Sequence, residues 1–408
     1  MSYFIKFQLS LMMFLQFFIW GSWFVTLGTF LSKNLDATGI QSSIAFSTQS
    51  WGAIIAPVFI GLIADKYFNA EKILGILHLI GGYLMIQLHQ STSFDLFYPL
   101  VFFYMLLYMP TLALVNSISF NQMKNPSKEF SSIRVFGTLG WIFSGIMISY
   151  FFGWDSQISI NDGLLKNTFK MAAIASFALG ILSFFLPKTP PNFANKKSRK
   201  LKNILGLDAL ELLRDKNFLM FFITSILICI PLAFYYQQTN PFLVNIGMEN
   251  PTGTMALGQI SEALFILLLP LFLKKFGFKI TLIIGMLSWF LRYLLFAYGD
   301  VNDGYYLLIL GIFLHGVCYD FFFVSGQIYT DFKAGQNFKS SAQGLITLAT
   351  YGVGMYIGFW FAGFISDFYK NGLTFNWKII WIFPSLISLF VMFLFIIIFR
   401  NEKIKTKN

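Results

Sequence analysis

Apolar residues run along this chain in blocks of about twenty, separated by short polar breaks. A helix needs about 20 mainly apolar residues to cross the hydrocarbon of a bilayer. Twelve stretches reach that length: 8–31, 42–64, 71–90, 96–118, 132–153, 170–187, 217–237, 255–273, 278–298, 304–325, 341–365 and 378–399. Lipid cannot hydrogen-bond exposed backbone, so such stretches must be helical. Barrel strands are shorter and alternate polar with apolar residues, and these blocks do neither. The pattern predicts an all-α integral membrane protein with twelve transmembrane helices. The first block, "MSYFIKFQLSLMMFLQFFIWGSW", continues past Trp23 to Leu31 without a small-residue cleavage site. It is expected to stay in place as a spanning helix rather than to act as a removable signal peptide.

The polar breaks carry a charge bias. Breaks after even-numbered blocks hold Lys66 and Lys72, then Lys124 and Lys128, then Lys274 and Lys275, then Lys333 and Lys339. The central break adds Lys188, Lys196, Lys197, Arg199, Lys200, Lys202, Arg214 and Lys216, while the other side holds mainly Lys33, Lys166, Lys170, Lys370 and Lys378. Basic residues collect on the cytoplasmic side, so both termini are expected there. Six blocks precede the proline- and lysine-rich central connector and six follow it. The expected organisation is a six-helix bundle over 1–190, a cytoplasmic linker over 191–215 and a second six-helix bundle over 216–408. Two such halves are the layout of the major facilitator fold, in which they rock around a site at mid-membrane.

Composition narrows the class further. The chain is 56% hydrophobic and 12% charged, with 52 phenylalanines, against about 25% charged residues in a soluble domain. Its net charge of +11 lies in the loops, facing anionic lipid, and not on a basic face interleaved with aromatics. Nucleic acid is therefore not an expected partner. Cys229 and Cys318 lie alone in apolar runs, and His78, His89 and His315 form no cluster in the sequence. No metal site, cofactor or catalytic pair is expected, and an enzyme is disfavoured.

The informative residues are polar ones inside the apolar blocks. They are Gln16, Asn116 just after Pro110, Arg134 and Thr138, Gln259 and Glu262, Arg292, and Asp320 with Gln327. An ionisable group in the bilayer should face the bundle interior and have a partner. Arg134 and Thr138 are four apart and Gln259 and Glu262 three apart, so each pair shares a helix face. Asp320 sits in "LGIFLHGVCYDFFFVSGQIY", a long apolar run with no neighbouring basic residue. Arg134 or Arg292 is its expected counter-charge. A carboxylate balanced by an arginine that can move away is a means of coupling a proton to a conformational change, and either Asp320 or Glu262 fits that role. The aromatics Trp20, Trp23, Phe136, Trp141, Tyr236, Tyr298, Tyr319 and Phe323 accompany these groups. Flat rings with amides suit a flat, polar, uncharged solute such as a nucleobase or a sugar. In "GLIADKY", Gly61 allows close helix approach and Asp65 is a candidate gate latch.

Taken together, "LQFFIWGSWFVTLGTFL", "GLIADKY", "YMPTLALVNSISF", "IRVFGTLGWI", "QISEALFILLLPLFLKKFGFK", "WFLRYLLFAYGD" and "YDFF" resemble the nucleoside:proton symporter family of the major facilitator superfamily, nearly end to end. The resemblance implies proton-coupled nucleoside uptake by alternating access across the cell inner membrane. Nucleoside, protons and the lipid bilayer are then the partners, and a monomer suffices. It also implies a nucleoside site that includes Arg134, Thr138, Gln259, Glu262, Tyr319 and Asp320, with acidic residues carrying the proton. Asn116, Tyr236 and Gln16 complete the candidate set. The seventh block departs from the family pattern: Ala233 and Tyr236 stand where a glutamine and an asparagine are expected, with Gln237 and Gln238 close by. Trp141 also replaces a smaller aromatic. Another small polar or sugar-bearing solute is the alternative cargo.

Overall fold

The structure is a computed structural model, and it describes residues 2–59, 68–124, 129–190, 207–372, 374–400 and 402. Asp65 and residues 191–206 of the expected linker lie outside the described residues. The chain forms two compact units. The first comprises Met1–Leu201 with Leu243–Ala256, and the second Lys202–Phe242 with Leu257–Asn408.

In the first unit, α1 (Tyr3–Phe24) is followed by the short α2 (Leu27–Asn34), α3 (Gly39–Phe59), α4 (Ala70–Gln90), α5 (Phe94–Asn121) and α6 (Ser131–Ile146). A π-helical turn at Met147–Phe151 extends α6, and α7 (Gln157–Asn161) and α8 (Asn167–Ser183) complete the unit. Helix α1 packs against α6 and α8, α4 against α5 and α8, and α3 against α5. Between lipid-facing helices there is no water to expel, so close backbone approach and polar contacts hold the bundle. Gly140 shows the requirement: a Cβ there would come within 2.2 Å of the Phe14 carbonyl oxygen. The segment at residues 251–253 is pinned to this unit by Asp155. Its carboxylate accepts the Thr252 amide at 2.9 Å and the Ser149 hydroxyl at 2.5 Å, while Ser149 Oγ accepts the Gly253 amide at 2.7 Å.

The second unit opens with a 3₁₀ segment, Leu207–Arg214, and holds most of α9 (Lys216–Asn245) and α10 (Pro251–Tyr298). Then come α11 (Tyr305–Phe313), α12 (His315–Tyr319) with a π-helical stretch Asp320–Val324, α13 (Ser325–Thr347) with a second π-helical stretch Leu348–Gly354, and α14 (Met355–Phe368). A two-residue antiparallel pair, β1 (Lys370–Asn371) with β2 (Thr374–Phe375), leads into α15 (Trp377–Ile398). The 48 residues of α10 are two rods, because Gly277 has φ 72° and ψ −177°, outside the helical region. Ten helical stretches of the described residues are long and apolar enough to cross a membrane, and this double rod counts as one of them. Phe7, Phe151, Leu267 and Ile397 are 64–80% exposed. A water-facing surface would not present such a set; a lipid-facing one does.

Candidate functional site

The candidate residues divide between the units, and each set has a local cause. In the first unit, Gln16 of α1 is fully buried and both ends of its amide are engaged. His78 of α4 contacts its Oε1 at 2.9 Å, and its Nε2 donates to Thr111 Oγ1 of α5 at 2.7 Å. The Tyr108 hydroxyl donates to the Gln16 carbonyl at 2.6 Å. This network ties three helices together where lipid offers no substitute partners. Tyr108 also meets Trp20 edge-on, and Trp20 meets Trp141 in the same manner, with centroids 5.7 Å and 5.6 Å apart. Arg134 and Thr138 are half-buried along one face of α6, and the Arg134 guanidinium lies 4.1 Å over the Phe17 ring. Asn116 is half-buried on α5. Trp23 is fully buried in the bundle, whereas Phe136 is 37% exposed.

In the second unit the geometry is set by a break in helical hydrogen bonding. The Gly316 amide donates to Ser261 Oγ of α10 at 2.9 Å. A Cβ on Gly316 would fall 2.4 Å from the Ser261 carbonyl carbon, so only glycine lets α12 sit this close to α10. The helix then widens into the π-helical stretch beginning at Asp320. Such stretches recur at functional sites because they re-aim side chains while keeping the backbone bonded. Here they bring His315, Tyr319 and Asp320 beside Glu262. His315 Nε2 lies 3.9 Å from Glu262 Oε2, and the Glu262 side chain is 25% exposed. The Tyr319 hydroxyl is 3.0 Å from that of Tyr351, which lies in the second π-helical stretch. Gln259 and Tyr236 are half-buried, and the Tyr236 ring stands 5.8 Å from that of Tyr235.

Asp320 is wholly buried, and neither carboxylate oxygen has a hydrogen-bond partner among the described residues. Arg292, one of its two expected counter-charges, is engaged elsewhere: its Nη1 is 2.9 Å from His315 Nδ1, and its guanidinium lies 3.6 Å over the Tyr235 ring. Asp320 does stand within Coulombic reach of Glu262. Among the departures in the seventh block, Ala233 packs toward Gly358 of α14, and the Gln238 amide reaches the Ala362 carbonyl. Tyr298 is 54% exposed and carries Lys378 over its ring at 4.5 Å. Gln327 is exposed.

Sequence reasoning did not assign His315, Tyr235 or Tyr351 to this cluster. The available signal was the spacing of His315 and Tyr319, four residues apart on the element that also carries Asp320. The two rings stack with centroids 6.0 Å apart. Among the described residues, no group of three or more His, Cys, Asp or Glu side chains is placed to hold a metal ion.

The fold places the chain among secondary transporters of the major facilitator type. A crystal structure of the nucleoside transporter NupG superposes on it with a TM-score of 0.87 at 29% identity, covering 98% of this chain and 100% of that one. Residues 3–404 match the family described as Nucleoside H+ symporter. YegT of Escherichia coli (strain K12) is 43% identical over 406 residues, 97% of this chain and 94% of its own. Xanthosine permease of the same organism is 32% identical over 98% of both chains. The chain belongs to the nucleoside H+ symporter family.

Proposed function

We infer that this protein takes nucleosides up across the cell inner membrane together with protons, by alternating access. Family membership over nearly the whole chain supports this reading, as does the similarity to xanthosine permease and NupG. It is a transporter and not an enzyme.

The ten apolar helical stretches make eleven crossings, and α3 brings the number to twelve. Helix α10 crosses twice, reversing at Gly277, and the 21-residue α3 supplies one more. The crossings fall into six-helix bundles over 1–190 and 216–408, joined by a linker over 191–215. The bias of basic residues toward one set of loops supports cytoplasmic termini. Arg134, Thr138, Asn116 and Gln16 of the first unit and Tyr236, Gln259, Glu262, Tyr319 and Asp320 of the second bind the nucleoside or support those that do. Asp65 serves as a gate latch.

One observation carries the coupling assignment: Asp320 is buried, and neither of its oxygens has a hydrogen-bond partner among the described residues. An ionised carboxylate there has no counter-charge to offset its desolvation, at a cost of several kcal/mol. A proton removes that cost. Asp320 thus takes the proton when the site opens outward, and its release follows when the site opens inward. Glu262, partly exposed beside it, is the second proton-coupling candidate. The test is uptake of labelled uridine into energised vesicles, with and without a protonophore. Asp320→Asn is expected to abolish accumulation above equilibrium while leaving uridine–uridine exchange at half of wild type or more, about a twofold change at most. Protonophore-sensitive accumulation retained in Asp320→Asn would remove Asp320 from the coupling step.

A further inference from the structure

Among the described residues Arg292 is the largest charged side chain that is fully buried, with no exposed surface. Three aromatic rings surround it, at 3.6 Å for Tyr235, 5.6 Å for Trp289 and 5.7 Å for Phe296. Among the described residues its Nε and Nη2 have no hydrogen-bond partner. Its Nη1 lies 2.9 Å from His315 Nδ1. Such a charge is costly unless something uses it.

A guanidinium can only donate hydrogen bonds. His315 Nδ1 must therefore accept, and the ring proton resides on Nε2, the nitrogen that faces Glu262. A second proton on the ring would set N–H against N–H, so the ring is neutral here. The Tyr235 ring, stacked 5.1 Å from His315, and the Tyr319 ring hold the imidazole in this plane. The Gly316 amide bond to Ser261 fixes the adjoining backbone against the helix that carries Glu262. The guanidinium thereby orients an N–H toward Glu262, 3.9 Å from its Oε2, while the Asp320 oxygens have no hydrogen-bond partner among the described residues.

We propose that Arg292 and His315 are positioning residues for transport. Through the imidazole they hold Glu262 ionised and aimed as a hydrogen-bond acceptor for the nucleoside, leaving the unpartnered Asp320 as the proton carrier. The proposal rests on the reading of Glu262 as a nucleoside ligand, and it divides the two carboxylates by the company each keeps. The ligand chemistry served is a hydroxyl or N–H donor on the ribose or base, matched to an anionic acceptor.

The other titratable groups facing this cluster are the phenols of Tyr235 and Tyr236 on α9, Tyr293 on α10, Tyr319 on α12 and Tyr351 beyond α13, the Cys318 thiol, and Asp320. Free phenols and thiols titrate above about pH 8, so a change between about pH 6 and 8 belongs to the carboxylates or to His315.

Two measurements test the proposal. The first is uridine binding to the purified full-length protein for wild type, His315→Leu, His315→Gln and Arg292→Met, each also in a Glu262→Gln background. His315→Leu is expected to weaken binding about tenfold in the wild-type background and less than about twofold beside Glu262→Gln. His315→Gln, which keeps an N–H near the Nε2 position, restores most of the loss. Arg292→Met is expected to lose affinity as the pH falls from about 8 to about 6, where wild type stays flat. Equal losses in both backgrounds, or none in either, overturn the proposal.

The second is infrared difference spectroscopy in an Asp320→Asn background, reading the protonated-carboxyl band of Glu262 directly. The band is absent near neutral pH with Arg292 and His315 intact and appears in Arg292→Met. A band already present with both residues intact overturns the proposal, as does one that stays absent in a folded Arg292→Met protein. This arm needs no substrate. Failure of wild type to bind uridine, or a Glu262→Gln protein that binds normally, therefore removes Glu262 from the nucleoside site separately, while the infrared result decides the relay.

Discussion

At the scale of the residue, burial and partnership together separate support from function. Gln16 and Asp320 are both fully buried polar side chains, yet their surroundings are opposite. Gln16 has both ends of its amide engaged by His78 and Thr111, whereas the Asp320 oxygens have no hydrogen-bond partner among the described residues. Replacing Gln16 by Leu leaves His78 and Thr111 without their partner, at about 1–3 kcal/mol for each buried group stranded. The expected result is a clear drop in the melting temperature of the detergent-solubilised protein. An unchanged melting temperature would mean that the network adds nothing to bundle stability. Both residues were visible in the sequence as polar positions in apolar blocks. Which of them had partners was not, because those partners lie 62 to 95 residues away along the chain.

At the scale of the element, departures from regular helix do the positioning. The π-helical stretches at Asp320–Val324 and Leu348–Gly354 and the close approach at Gly316 bring Tyr319, Tyr351, His315 and Glu262 together. Apolar block length foretells a helix but not a widened turn within it, since the two differ only in which carbonyl each amide finds. The break at Gly277 is similar. The sequence ends one block at 273 and begins the next at 278, and the structure meets that break with a backbone geometry that essentially only glycine adopts. Gly277→Ala is expected to cost about 1–3 kcal/mol. Thermal unfolding should show a loss there, and a matched Gly344→Ala control in open helical space should not.

At the scale of the whole molecule, loops and termini are tied by surface charge. Lys333 of α13 donates to Asp215 at 3.0 Å and to Glu402 at 2.7 Å. Asn217 bonds both the Arg400 carbonyl and the Glu402 carboxylate. The start of α9, the α13 segment and the chain beyond α15 are thus stapled at one end of the second unit. Partial burial works against ionisation of Asp215, but the Phe218 amide and the Lys333 ammonium outweigh it and hold the carboxyl below its ordinary value. A depressed carboxylate contributes stability that is present above its unfolded-state value and is lost as the pH falls through the folded one. Asp215→Asn should therefore lower thermal stability modestly at neutral pH, because the group is well exposed and screened. The gap from wild type should close in acid below the usual carboxylate range. A gap that persists undiminished there would mean that the side chain acts through something other than its charge.

The sequence by itself determined the membrane class, the helical content, the bias of basic loops and the short set of polar residues inside the apolar blocks. Those properties follow from local physics: about twenty apolar residues in a row have one stable state in lipid, and a charge among them needs a reason to be there. Only the tertiary structure decided the partners. It set Arg292 on His315 rather than on Asp320, closed Gln16 into a network across three helices, and left the Asp320 oxygens with no hydrogen-bond partner among the described residues. Hydrogen bonds and ion contacts act over about 3–4 Å, and which groups come that close depends on how separate helices pack, a quantity that no stretch of the chain contains alone.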